Sequence, residues 1–307
     1  MLGVNAESVR EATVPRKPQG GLKRPQIKKV NSWEGFVELT ESLPPAIWIF
    51  RGQDKAEYDL QTSLERHVLA FSHLGKSNRE MERYLIREFK RRYQHYSAHV
   101  PEEEMLIEWL SIMRHHGAPT RLLDWTYSSL VALYFSIENH GKLGAVHAVW
   151  CINRFWLSEI ANSRLLHKPY SGTRFGEYFD KEDHDLFRRY IFDSTVQCVV
   201  PVSPFRLNQR MTLQRGLFLC QVRMESSFME NLMSCDGSDS KNNLMKIEVE
   251  FESPEERDKA LDRLYHSGIS RDVLFPGLDG FAGALGVFHP VLHKRPGSGS
   301  PSTGQSK

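Results

Sequence analysis

Hydrophobic and polar positions along the chain follow two periods, one near 3.6 residues and one of two, which predicts helices alternating with strands. Trp33, Phe36 and Leu39 share a helical face behind a capping Asn31 or Ser32, and Pro44-Pro45 closes that segment. Ile47-Trp48-Ile49-Phe50 is an unbroken apolar run that predicts a buried strand over 47–51, interrupted at Gly52. Met81, Leu85, Phe89 and Tyr93 step by four from about Arg79, the pattern of an amphipathic helix. Another helix is expected after Pro101, with Glu102, Glu103 and Glu104 in its first turn. Met105, Trp109 and Met113 form its apolar face, and Gly117 ends it.

Further strands are predicted over 121–125, 145–152, 196–202, 217–222 and 246–251. Ser128 is placed to cap a helix through Val131, Ala132 and Phe135, and Ser253-Pro254-Glu255-Glu256 opens one that runs to Gly268. Residues 225–243 turn polar and Gly/Ser-bearing, the composition of a mobile connection. Met229, Leu232 and Met233 within it suit either a lid over a neighbouring cleft or an uninvolved insertion. Together these elements predict an α+β fold: a single domain with a central mixed, mainly antiparallel sheet flanked by helices.

Charge divides the 307-residue chain, whose net charge is only +2. Residues 1–30 carry +5 and residues 289–307 carry +3, which leaves about −6 for the body at 31–288. The ends are rich in Pro, Gly and Ser and read as disordered basic tails capable of weak, nonspecific contact with polyanions. The acidic body argues against a dedicated nucleic-acid fold. No stretch approaches the ~18 apolar residues of a membrane span, and the N-terminus has no apolar signal region. The four cysteines form no Cys-x-x-Cys pair, and none of the thirteen histidines has zinc-ligand spacing. The expectation is a soluble cytoplasmic protein without a metal.

Two segments set polar residues against strong apolar patterns. Phe50-Arg51-Gly52-Gln53 ends a buried strand on a guanidinium, a group suited to gripping phosphate or carboxylate. His115-His116-Gly117-Ala118-Pro119-Thr120-Arg121-Leu122-Leu123-Asp124-Trp125-Thr126 collects two His, an Arg, an Asp and hydroxyls at a helix end, a loop and a strand. Such groups at strand ends suit a ligand with phosphates and riboses. They equally suit an internal ion network in which Arg51, Arg121 and Asp124 only tie strands together.

On these residues the chain resembles the FRG-domain family. The resemblance continues through Ala132-Leu133-Tyr134-Phe135, Gln214-Arg215-Gly216-Leu217-Phe218 and Leu274-Phe275-Pro276-Gly277-Leu278-Asp279-Gly280, and covers roughly residues 46–285. A second resemblance, to ADP-ribosyltransferases, implies an ADP-ribosyltransferase-like fold and NAD as cofactor. Arg51 matches the Arg of their first core strand, and Leu122–Thr126 with Ser128–Phe135 matches the strand and helix beside the nicotinamide. Gln214-Arg215-Gly216 stands where they carry the catalytic Glu, so the carboxylate is replaced by Gly216. Glu248, Glu250, Asp279 and Asp124 are the candidates to supply it.

The resulting candidate site has Arg51, His116 and Asp124 as catalytic residues and Gln53, Arg121, Thr126, Ser128, Tyr134 and Gln214 around the ligand. Arg51 would hold a phosphate, His116 would donate to a ribose hydroxyl or act as acid or base, and Tyr134 would stack on a base. Two functions stand open. One is an NAD-using enzyme that transfers ADP-ribose to an unknown acceptor or cleaves the glycosidic bond. The other is a non-catalytic module that binds a nucleotide-like ligand or a protein partner.

Overall fold

The computed structural model describes residues 25–139, 145–166, 178–179, 184–235 and 240–286. The strands are β1 (Gln26–Val30), β2 (Trp48–Gln53), β3 (Leu122–Thr126), β4 (His147–Asn153), β5 (Tyr178–Phe179), β6 (Val199–Pro204), β7 (Gly216–Gln221) and β8 (Leu244–Val249). They form one sheet in the order β1-β8-β4-β2-β3-β7-β6-β5. The β1–β8 and β5–β6 pairs are parallel and the others antiparallel, so the sheet is mixed and mainly antiparallel, as the sequence predicts.

Along β4 every residue from His147 to Ile152 is buried, because helices cover both faces of the sheet. Val149 and Cys151 pack on one side with α1 (Trp33–Glu41), Trp150 and Ile152 pack on the other, and further helices follow α1 in the chain. In chain order these are α2 (Ser63–Ala70), α3 (Asn78–Tyr93), α4 (Leu106–His115), α5 (Ser129–Ile137) and α6 (Arg154–Leu166). Then come α7 (His184–Leu186), which continues as a π-helical segment at Phe187–Phe192, α8 (Gln209–Leu213), α9 (Phe228–Ser234) and α10 (Ser240–Asn243). Last are α11 (Pro254–His266), α12 (Arg271–Leu274) and α13 (Leu278–Ala284). Helices α1, α5 and α11 supply the core of the first face, and α3, α4, α6 and α9 that of the second. Among the described residues no helix is long and apolar enough to cross a membrane.

Three sequence expectations are corrected. Gln26–Val30 lies inside the expected disordered tail, yet it pairs with β8 in register, Gln26 against Met245 and Val30 against Val249. It is a basic edge strand with most side chains in solvent, so its composition is that of a tail although its backbone completes the sheet. The rest of both tails, 1–24 and 287–307, lies outside the described residues. Second, residues 225–235 are no mobile lid. A Ser227/Glu230 capping box opens α9, and Phe228 and Leu232 are fully buried. The Phe228 N–H donates to the buried Glu65 carboxylate, which fixes the helix start from across the chain. Residues 236–239 of that segment lie outside the described residues. Third, Glu102–Glu104 precede α4 in a turn instead of forming its first turn, and the Glu102 carbonyl accepts from the Trp109 indole.

Candidate functional site

The centre of the sheet is split. β2 pairs with β4 over six residues and β3 with β7 over five, but β2 and β3 meet only at Phe50 and Thr126. Beyond that point the two strands diverge, and the Arg51 side chain spans the gap by donating from Nη1 to the Asp124 carbonyl at 2.6 Å. The neighbouring residues explain the Phe-Arg-Gly tripeptide. Phe50 is core, 6% exposed. Gly52 is required by close approach of α5, since a Cβ there would lie 2.0 Å from the Ala132 carbonyl oxygen and 2.7 Å from the Ser136 nitrogen. The glycine thus admits the backbone of α5 against β2. The helix is held at its start by Ser128, whose hydroxyl accepts the Val131 N–H.

At the mouth of the split stands Asp124, whose side chain is 34% exposed. Arg114, in the last turn of α4, donates to its Oδ2 from both Nε (2.9 Å) and Nη2. Arg51 Nη1 is 4.0 Å from the same oxygen. Burial alone would raise the Asp124 carboxyl, but the Arg114 charge and hydrogen bonds, then Arg51 and Arg210, outweigh it and hold it at about 2. Asp124 raises Arg114 in return. Arg51 falls to about 10, first through burial, and Asp124 opposes that shift while Arg114 and Arg66 add to it. Arg66 of α2 and Arg210 of α8 are both lowered by burial and both feel Asp124 and Arg114. Four guanidiniums therefore gather around one carboxylate.

A second tier extends from Arg210. Its guanidinium stacks on Phe275 at 4.4 Å, and Arg271 lies 4.8 Å from the same ring. Arg271 is engaged by Glu138 at 2.8 Å. The Leu274–Gly280 motif shapes this corner. Gly277 has φ +103, and a Cβ on Gly280 would strike the Phe275 carbonyl oxygen at 1.6 Å, so the turn folds tightly under the ring. His115 borders Arg210, which helps lower its pKa after burial and the charge of His116.

Of the residues expected at the site, Arg51 and Asp124 come together as described, and His116 sits exposed at its edge, ring against His115 at 4.7 Å. Gln53 lies along β2, engaged with the Trp150 indole at 2.8 Å and the Asp59 carbonyl. Ser128 is the α5 cap. The other four are closed off. Arg121 is fully buried and all five of its N–H donors are taken, by Glu82 and by the carbonyls of Ile191, Phe192 and Gln221. Thr126 donates to the Gln214 carbonyl and accepts the Ser128 N–H. Gln214, 9% exposed, donates to the Leu274 carbonyl. Tyr134, 4% exposed, offers no open face to a base, and burial with its Glu138 hydrogen bond raises its phenol well above the usual range.

The other three carboxylates expected as candidates for the missing Glu do not lie beside Arg51, on which Asp124 is the only one of the four to act. Glu248 stands on β8, beyond β4 from β2, and lies 3.8 Å from Lys29. Glu250 and Asp279 are exposed, on the end of β8 and on α13. Gly216 opens β7 opposite Thr126, and a Cβ there would meet only ordinary contacts from 3.4 Å, so no packing requirement excludes a side chain. Arg66, Arg114 and Arg210 were the residues sequence reasoning missed, while His115 stood in the segment it singled out but was not assigned to the site. Arg114 had a visible signal, as the basic residue one turn ahead of the His-Gly helix end.

Residues 46–143 match the family described as FRG domain. No curated protein and no solved structure matches the chain. The matched span holds Arg51, Arg66, Arg114 and Asp124, while Arg210 and Phe275 lie beyond it.

Proposed function

The chain belongs to the FRG domain-containing family, and we propose that the split between β2 and β3 binds a phosphate-bearing, nucleotide-like ligand, as a binding module. One observation carries this reading: Arg51, Arg66, Arg114 and Arg210 all feel the carboxylate of Asp124 in a partly exposed setting, and they outnumber the carboxylates around them. Arg51, Arg114 and Arg210 are half-buried and Arg66 is exposed beside them. Half-buried guanidiniums repel one another and lose hydration, so a surplus of them is costly unless an anion completes the site. Phosphate oxygens match the guanidinium fork, and among the described residues Arg51 and Arg66 each use only Nη1 on a protein carbonyl. Asp124 Oδ1, which has no protein partner among the described residues, is an acceptor suited to a ribose hydroxyl.

NAD turnover is the second reading. It draws on an ionised Asp124 beside the arginines, since a fixed carboxylate can stabilise a developing oxocarbenium centre. Arg114 already neutralises that carboxylate, and Gly216 supplies none, which favours binding over chemistry. Calorimetric titration with ADP-ribose and NAD separates the readings, together with a nicotinamide-release assay. The binding reading expects saturable binding that Arg51→Gln weakens about 10- to 100-fold, the worth of a charged hydrogen bond of about 1.5–3 kcal/mol, without nicotinamide release. Nicotinamide release abolished by Arg51→Gln would establish the enzyme instead. No binding of either compound would remove both.

A further inference from the structure

We infer that the site takes a ligand with two adjacent anionic groups, a pyrophosphate, one seated between Arg51 and Arg66 and the second between Arg210 and His115. The inference deepens the phosphate-binding reading and rests on it. Strand β3 separates the two halves, because Arg51 stands on β2 and Arg210 stands on α8 immediately ahead of β7, the strands on either side of β3. Arg114 and Asp124 lie between them, near enough to influence both Arg51 and Arg210.

The hydrogen-bonding inventory of the second half points to an absent partner. Among the described residues the Arg210 guanidinium makes no hydrogen bond and no ion pair within 4.0 Å; it is positioned only by stacking on Phe275. Beside it His115 Nδ1 is buried and also has no partner. A half-buried guanidinium with all its donors open, next to a buried ring nitrogen without a bond, is an arrangement that protein–protein contacts alone leave incomplete. Arg271, on the same aromatic ring, is paired with Glu138 and so belongs to the frame that holds Phe275 in place.

Charge gives a second argument. Arg51, Arg66, Arg114, Arg210 and Arg271 make five guanidiniums, and the carboxylates near them are three, Asp124, Glu65 beside Arg66 and Glu138 beside Arg210 and Arg271, which leaves a local surplus of two positive charges. A single phosphate on the Arg51 side would leave the Arg210 guanidinium without a hydrogen-bonding partner among the described residues. A pyrophosphate carries two to three negative charges in its diester and monoester forms and spans both sides with one bridging oxygen.

The test uses the full chain and two probes, inorganic orthophosphate and inorganic pyrophosphate, titrated by calorimetry at fixed ionic strength. Pyrophosphate binds any cationic surface more tightly, so the decisive readout is the Arg210 variant. The expected result is that Arg210→Gln loses at least tenfold in pyrophosphate affinity with orthophosphate affinity unchanged, that His115→Ala loses less in the same direction, and that Arg51→Gln weakens both anions. Arg210→Lys, which keeps the charge and most of the stem over Phe275, retains part of the preference and guards against a folding defect in the first variant. Unchanged pyrophosphate binding in a folded Arg210→Gln protein overturns the two-group inference while leaving phosphate binding in place. Failure of both anions and of ADP-ribose to bind the wild-type chain overturns the phosphate reading itself.

Discussion

Two ion networks touch β3 three residues apart, and they are built to opposite plans. Arg121 and Glu82 are each 0% exposed and pair one to one, with every remaining guanidinium donor on a carbonyl from the π-helical segment or β7. This network joins α3 to the sheet and has no room for another partner. Around Asp124, by contrast, the cations outnumber the carboxylates, the side chains of Arg51 and Asp124 are 24% and 34% exposed, and donors on Arg51, Arg66 and Arg210 have no partner among the described residues. The residue types are the same in both. What separates a structural ion pair from a binding site here is stoichiometry and access, and neither is a property of the residue type.

The sharpest way to break the comparison is at Glu82. Glu82→Gln strands a fully buried guanidinium and should cost about 3–5 kcal/mol, read as a shift in the urea midpoint at unchanged m-value. Because Glu82 belongs to the closed network, ADP-ribose affinity of the folded variant should not change. A folded Glu82→Gln protein with altered affinity would mean that the two networks are coupled. Gly52→Ala should come next, at about 1–3 kcal/mol, since α5 must move away from β2 to admit the methyl group. That variant opens the split itself, so it should lose ligand affinity along with stability. Stability equal to wild type would show that α5 is not seated on β2 as described.

Strands at the middle of the sheet were legible because their apolar runs are long and both faces are buried, as along Trp48–Phe50 and His147–Ile152. The edge strand Gln26–Val30 was not, since its Lys28 and Lys29 satisfy the rules for a solvated tail and only pairing with β8 reveals it. The helix at Phe228–Ser234 was masked by the Gly/Ser-bearing residues that follow it, although Ser227-x-x-Glu230 is a readable cap. At the site, Arg51 and Asp124 were found because each interrupts an apolar run. Arg121 does so too, and was read the same way, because whether α3 presents a carboxylate to it is decided by packing between elements distant in sequence. Arg66 and Arg210 come from helices of eight and five residues, too short for a hydrophobic period to mark them.

The smallest expected effect lies at Asp124, and it carries opposite signs in stability and binding. Asp124→Asn removes the partner of Arg114, but water reaches the site, so the loss should be near 1 kcal/mol at pH 7. The pH dependence follows from a folded pKa of about 2 against about 3.9 for an unfolded aspartate. A depressed folded value means that this contribution is complete above about pH 4 and is lost as the pH falls through about 2. Urea titrations at pH 5, 4 and 3 should therefore show the gap between wild type and Asp124→Asn narrowing toward acid. In the same variant, pyrophosphate should bind more tightly, because the one carboxylate that competes with it for Arg114, Arg51 and Arg210 has become neutral. A residue that only holds β3 in place gives the stability loss without the gain in anion affinity. That outcome would move Asp124 into the same class as Glu82 and leave the surplus of arginines without a ligand to explain it.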